Sequence, residues 1–420
     1  MSKPFPAAVA VLFATVTFAT ALLTGVSPAI AAKASYRPVG QCDGLPRIPV
    51  SSPAGFCLGL VADGFKFPRG ILPLPNGDLL LADMGGWVEN RGSIWLLKKT
   101  AAGFQKIQLF TKLDRPNGLL LGPDGLVYVG LVKRIFRFDP ANPAESSTDV
   151  IGGKSSAPAL PGVGRHLLTS MVFDRERNLF VNVGSGTDHC EQANGVAPNA
   201  GKPCPETEGK EPLGVIRKYT MQWPGGTVKG WENYASGLRN SMALAIHPIS
   251  GELWQGENSR DAIQAAMPEL KNDEELPHDE LNLIERGAHY GWPYCYDNNL
   301  SSPEYPRKDC SGFRRPVRLL PAHAAPLGMM FYAAGRFPAE FNNSLIMGFH
   351  GYRKYGHRIV ALLPDKNGAP SGKMVELVSD WGPKSNQPMG APVDLKLGTD
   401  GAIYITEDRN GTVLRLQYAK

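Results

Sequence analysis

The residues of this chain that could do chemistry fall in a few short stretches. His166 lies in GVGRHLLTSMVFD, Arg239 and Asn240 end the segment GLRN, and Glu257, Asn258, Ser259, Arg260 and Asp261 follow as ENSRD. Asp279 and Glu280 open DELNLIERGAHYGWPY, His323 sits in HAAPLGMMFY, and His350, Arg353 and His357 share HGYRKYGHRIV. A neutral imidazole, with an unperturbed pKa of about 6.5, is a general base suited to neutral pH. A guanidinium beside an amide stabilises negative charge as it develops on a reacting oxygen. Each group also has an ordinary structural use: a lone histidine serves a surface or a core, and an acidic run such as ELKNDEELPHDE is a solvated face.

What must position these groups is a repeated β unit. Residues 244–254 read as an apolar strand, a Pro248-Ile249-Ser250-Gly251 turn and a second strand, with Arg239 and Asn240 just before the hairpin and ENSRD just after it. The pattern recurs six times, starting at Gly70, Gly118, Ser170, Ala243, Gly328 and Val393, and several copies run on into a third strand, as in GSIWLLKK, GVIRKYTM and GTVLRLQ. Repetition at roughly 45 to 70 residues in an all-β chain predicts a six-bladed β-propeller, here one domain over residues 33–420. Residues 56–67, FCLGLVADGFKF, read as a strand that completes the last blade. The mouths of the blades carry Arg69, Asn117, His166, Arg239, Pro326 and Pro392, expected together on one face, where a site belongs.

Composition agrees with a large, turn-rich fold: of 420 residues 43% are hydrophobic, with 47 Gly and 36 Pro. The formal charge of +5, or +4 without Lys3, is too mild and too dispersed for a nucleic-acid partner. Residues 1–32 read as a signal peptide, with Lys3, an apolar run over 7–26 and an Ala29-Ile30-Ala31 cleavage site. The run is also just long enough for an uncleaved anchor. With no twin arginine and no lipid-bearing cysteine after the leader, the expected product is periplasmic or secreted, without stable membrane insertion. Six cysteines fit export, and pairing Cys42 with Cys57, Cys190 with Cys204 and Cys295 with Cys310 is the cheapest in loop entropy among fifteen connectivities. Metal ligation is the competing use, but no CxxC or Cys/His spacing supports it, and no CxxCH motif offers a haem attachment.

Taken together, these motifs, with VNVGSGTDHC and GAPVDLKLGTDGAIYITED, resemble the quinoprotein sugar dehydrogenases of the soluble aldose and sorbosone type over residues 56–418. Those proteins are six-bladed propellers that hold pyrroloquinoline quinone (PQQ) on one face. The resemblance implies His166 as the base for the substrate's anomeric hydroxyl, and Arg239 with Asn240 beside the quinone carbonyls. It implies Asn258, His323 and Arg353 as further cofactor contacts, His323 covering the cofactor plane and Arg353 facing its carboxylates or quinone oxygens. It implies a calcium ion (Ca2+) on the carbonyl oxygens of Ser259 and Arg260, and a second, structural calcium at Asp279 and Glu280. The implied activity is oxidation of a sugar or hydroxy-aldehyde, with electrons leaving to an external acceptor.

The chain departs from the glucose-oxidising members in two places. Arg165 stands where they carry an Asp before the histidine, and Ala391 and Pro392 stand where they carry paired arginines, a charge that Arg69 is one candidate to replace. Tyr290 and Trp292 suit packing better than substrate stacking. Two other classes share the fold and the leader. A calcium-dependent propeller lactonase needs carboxylates at the blade mouths, which are poor in them here; a non-catalytic propeller binding carbohydrate or protein at the cell envelope needs no His166.

Overall fold

The computed structural model describes residues 36–192, 195–382 and 388–419. The expected leader over 1–32 lies outside the described residues. Six antiparallel sheets follow one another, each opening with an inner strand: Pro68–Pro73, Leu119–Leu121, Met171–Phe173, Ala243–Ile246, Pro326–Phe331 and Pro392–Leu397. Each inner strand packs against those of the next and previous sheets, and the sixth returns to the first, closing a six-bladed β-propeller. The close approach this demands explains the glycines at the blade mouths: a Cβ on Gly70 would stand 2.2 Å from the Asn117 carbonyl oxygen, and one on Gly328 would stand 2.5 Å from that of Val393.

The last blade is closed by the N-terminal segment. Phe56–Ala62 pairs antiparallel with Thr412–Tyr418, Phe56 opposite Tyr418 and Ala62 opposite Val413. The strand expected over 56–67 stops at Ala62, because Gly64 takes a left-handed φ of 75° that ends the extended run. A short hairpin, Gln41–Cys42 with Leu45–Ile48, extends this sheet to six strands and is tied to it by the Cys42–Cys57 disulfide.

The fourth blade shows how alternation builds both core and site. Its second and third strands are Leu253–Glu257 and His278–Ile284, and successive side chains point to opposite faces. Leu253 and Ile284 pack with Phe180 and Ile216 of the third blade, whereas Trp254 and Leu281 pack with Met329 and Leu345 of the fifth. Burying such a side chain contributes about 1.5–3 kcal/mol.

Two loops are long. The one after Leu179–Val183 holds the Cys190–Cys204 disulfide, and the one after His278–Ile284 holds Cys295–Cys310. They pack on each other through Tyr294, Tyr305 and Phe313, and the Tyr294 hydroxyl accepts the Cys204 N–H at 2.8 Å. All three sequence-local pairings are therefore present.

A polar cleft on the propeller face as candidate active site

The mouth residues and the ends of the second strands meet because the hairpin register is fixed. Ala243 pairs with Gly256, so Asn240 and Glu257 stand at the same end, and the Asn240 N–H donates to Glu257 Oε1 at 2.8 Å. Beside them opens a cleft of about 260 Å³ lined by His166, Arg239, Asn240, Asn258, Ser259 and Asp261, and on the far side by Asp279, His323, His350, Tyr352 and Arg353. Residues separated by nearly 190 positions thus share one wall-to-wall space.

His166 is partly accessible at the cleft, but protein packs closely behind it. Its Nδ1 lies 2.8 Å from Ser185 Oγ and 3.2 Å from the Ser185 carbonyl oxygen. Burial, reinforced by the charge of Arg239 and opposed by Asp188, pushes the imidazole down to about 3. The ordinary value near neutrality expected from the sequence therefore does not hold, since desolvation was invisible there.

Arg239 is 5% exposed and rigidly held. It donates from Nε and Nη2 to Asp188 Oδ1 at 2.9 and 2.6 Å, from Nη2 to Asp261 Oδ2 at 3.0 Å, and from Nη1 to the Asn258 carbonyl at 2.9 Å. Burial favours the neutral form of Asp188, but hydrogen bonds from His189 and the charge of Arg239 hold its carboxyl below the usual range. Asp188 sits on the stapled loop, two residues before Cys190, and its carbonyl accepts the indole N–H of Trp292 at 2.9 Å. Trp292 is thus a buried packing residue, as expected.

Asp279 accepts the N–H groups of Ser259 and Ala325 at 2.8 and 2.6 Å, clamping two cleft-lining segments, while burial pushes its carboxyl up to about 7. Glu280 points the other way. It lies with Glu257 and Arg260 around a separate space of about 30 Å³, and burial followed by the charge of Glu257 raises it well above its ordinary value. The sequence reading that joined Asp279 and Glu280 in one metal site is corrected by the alternation of the strand. Among the described residues no group of three or more His, Cys, Asp or Glu side chains converges to hold a metal.

The other expected contacts divide. Asn258 donates to the Pro326 carbonyl at 2.7 Å. His323 lines the cleft with Nε2 against the carbonyls of Asp273 and Leu276 at 2.7 and 2.9 Å, so that nitrogen carries a proton. Arg353 is paired with Asp273 at 2.7 Å and remains one-third exposed. Arg69 does not supply charge to the cleft: it is 3% exposed, bonded to Asp408 at 2.8 Å and to Asn117 at 3.0 Å, beside the propeller axis. It is linked to the cleft through His350, whose Nε2 is 3.0 Å from the other oxygen of Asp408, and its charge also acts on Tyr352. The sequence reading placed His350 in its loop but gave it no role, and it assigned none to Ser185, Asp188 or Tyr352; nothing local marks them, since the groups that give Ser185, Asp188 and His350 their place at the cleft, His166, Arg239 and Asp408, lie 19, 51 and 58 positions away.

The Glucose / Sorbosone dehydrogenase family profile matches residues 154–415. The chain belongs to the glucose/sorbosone dehydrogenase family. It is with that family an oxidoreductase. A pyrroloquinoline quinone-dependent sugar dehydrogenase of Hypocrea jecorina is 22% identical over 408 residues, 85% of this chain and 87% of that one. Among solved structures, the calcium form of a Trichoderma reesei enzyme of carbohydrate-active family AA12 superposes with a TM-score of 0.67 at 19% identity, over 89% of this chain and 98% of that one. The PQQ-bound aldose sugar dehydrogenase of Streptomyces coelicolor superposes with a TM-score of 0.56 at 20% identity, covering 87% and 99%. At these identities the superpositions speak for the propeller, and the family match covers the blades that build the cleft.

Proposed function

We propose that this chain oxidises an aldose or a related hydroxy-aldehyde, with His166 as general base and PQQ bound in the cleft beside Arg239 and Asn240. The observation that carries the reading is the pairing, on one cleft, of a neutral imidazole with a buried guanidinium locked by two carboxylates. The cleft's donor set suits a planar tricarboxylate quinone. Arg353, His323 and His350 add polar hydrogen to the walls, and Asn240 Oδ1, buried without a hydrogen-bond partner, is an acceptor left open to a ligand N–H or O–H. Among the described residues no donor reaches the carbonyl oxygens of Ser259 and Arg260, which leaves them open to a hard cation. These carbonyls, with Asn258 beside them, are the proposed calcium ligands.

When bound, the quinone supplies a two-electron acceptor. The chain's own part is to take the hydroxyl proton on His166 while the substrate carbon gives up hydride, and to present Arg239 to the charge that develops. Arg239 needs no reorganisation, because Asp188, Asp261 and the Asn258 carbonyl already fix its plane. Electrons then leave to an acceptor outside the chain. The proposed setting is export after cleavage of residues 1–32; among the described residues no helix is long and apolar enough to cross a membrane. The lactonase reading finds no converging metal ligands among the described residues, and nothing specific favours it.

Adding PQQ with calcium to the purified protein should produce the bound-quinone absorbance, and an aldose or aldehyde from a panel should bleach it. A protein that binds no quinone would overturn the reading. Binding without bleaching by any sugar or aldehyde would overturn the substrate class.

A further inference from the structure

We propose that Ser185 is the positioning residue of the base: its hydroxyl fixes His166 as the Nδ1–H tautomer, leaving Nε2 as the proton acceptor, and it does so without a carboxylate. The use made of that acceptor rests on the dehydrogenase reading, but the tautomer is a property of this chain alone.

The argument is one of counting protons. Ser185 Oγ lies 2.6 Å from the Thr187 carbonyl oxygen, which can only accept, so the single hydroxyl proton is committed there. Toward His166, Oγ therefore presents a lone pair. The other atom facing Nδ1, the Ser185 carbonyl oxygen at 3.2 Å, is also an acceptor. Two acceptors on one ring nitrogen require that nitrogen to carry the hydrogen, and a neutral imidazole has only one to give.

The surroundings hold this arrangement still. Ser185 is fully buried, and its N–H donates to the Arg239 carbonyl at 2.8 Å, which ties the base to the guanidinium across the loop. Gly184 permits the contact, since a Cβ there would stand 2.5 Å from the His166 Cβ. Thr187 is fixed in turn by Glu206, which accepts its N–H at 3.2 Å and its hydroxyl. Glu206 lies in the short helix Pro205–Glu208 directly after Cys204, inside the stapled loop.

The charged groups that act on His166 are Arg239, Asp188 and Arg165, with Asp261, Asp279, His323, His350 and Arg353 around the rest of the cleft. None of the carboxylates is hydrogen-bonded to the imidazole. The base thus has an orienting partner that cannot neutralise an imidazolium. Burial keeps it unprotonated well into the acid range.

The test is ¹⁵N NMR of ring-labelled histidine in the cofactor-free protein at neutral pH, with His166 assigned through His166→Asn. The expected spectrum has a proton on Nδ1 and a bare Nε2. A proton on Nε2, or on both nitrogens, overturns the proposal whatever the enzyme's activity. Ser185→Ala should mix the tautomers and lower kcat by about tenfold to a hundredfold at little change in KM, while Ser185→Thr restores both. Ser185→Asp, which supplies a carboxylate, should raise the imidazole pKa and bring an acid limb into the pH profile. Folded Ser185→Ala protein with wild-type tautomer and kcat would sink the idea; should the variants not fold, the wild-type spectrum alone decides it. A confirmed tautomer in a protein that oxidises no sugar would overturn the proposed function and leave this inference standing.

Discussion

Replacing Asp188 by Ala tests the claim that Arg239 is held by buried charge. Its two strongest bonds, from Nε and Nη2, end on one oxygen of Asp188, and both side chains are about 95% buried. Stripping one partner from such a pair costs about 3–5 kcal/mol, mostly because the remaining charge is left without compensation. Here Asp261 stays 3.0 Å from Nη2, although it is 63% exposed, and the Asn258 carbonyl stays at 2.9 Å. The lower end, about 3 kcal/mol, is therefore expected. With an unfolding entropy of about 2.1 cal/mol/K per residue, that is a fall in Tm of about 4 °C for a chain of this length. Calorimetry on the cofactor-free protein would read it. The decisive arm is the double variant Asp188→Ala with Arg239→Met. If the cost is uncompensated charge, removing the charge as well should return about 2 kcal/mol, so the two changes are far from additive. A coupling under about 0.5 kcal/mol would refute the reasoning and make Asp188 an ordinary packing residue. Quinone affinity should fall in the single variant too, measured by absorbance titration.

His166→Ala should abolish turnover on any substrate that bleaches the bound quinone. In the cofactor-free wild type the His166 ring, followed by ¹⁵N NMR, should show no protonation from pH 8 to pH 5, since burial pushes it down to about 3; titration near the ordinary histidine value would contradict this. Glu257, Asp279 and Glu407 are each pushed up to about 7, chiefly by burial. Their native values lie above the ordinary ones, so the native state holds protons that the unfolded chain has released; the stability they contribute is fully present only below the ordinary carboxylate values and is lost as pH rises to and through about 7. The cofactor-free protein should accordingly melt higher at pH 6.5 than at pH 8, the three raised carboxyls outweighing the opposite effect of the buried histidines, whose unfolded value is about 6.5; a flat or inverted comparison would disprove it. Finally, Cys190→Ser with Cys204→Ser opens a 14-residue separation whose closure is worth about 3 kcal/mol, and because the loop carries Asp188, Ser185 and Glu206, quinone affinity should fall along with Tm.

Much of the fold was legible because its causes are local. The turn residues, the alternation of the hairpin strands and the sixfold recurrence are written in consecutive positions, and so are the three disulfide pairs, whose partners are close in the chain. The strand that closes the last blade was also readable, though not its end at Ala62, which depends on the backbone conformation of Gly64. Of the residues singled out for the site, His166, Arg239, Asn240, Asn258, Ser259, Asp279, His323 and Arg353 do line one cleft. Arg260 and Glu280 do not; they face the separate space behind it.

By itself the sequence determined which residue types stand at the ends of which strands, since strand periodicity and turn chemistry act over a few residues. Only the tertiary structure decided what each of them meets. It gave Arg239 its carboxylate from 51 positions away, spent Arg69 on Asp408, and turned Asp279 and Glu280 to opposite sides. It also buried His166 against Ser185 and beside Arg239. The physical reason is that charge, protonation and tautomer are set by desolvation and by partners within a few ångströms, and in a closed propeller those partners come from the far end of the same blade, as Ser185 does for His166, or from another blade, as Asp188 does for Arg239.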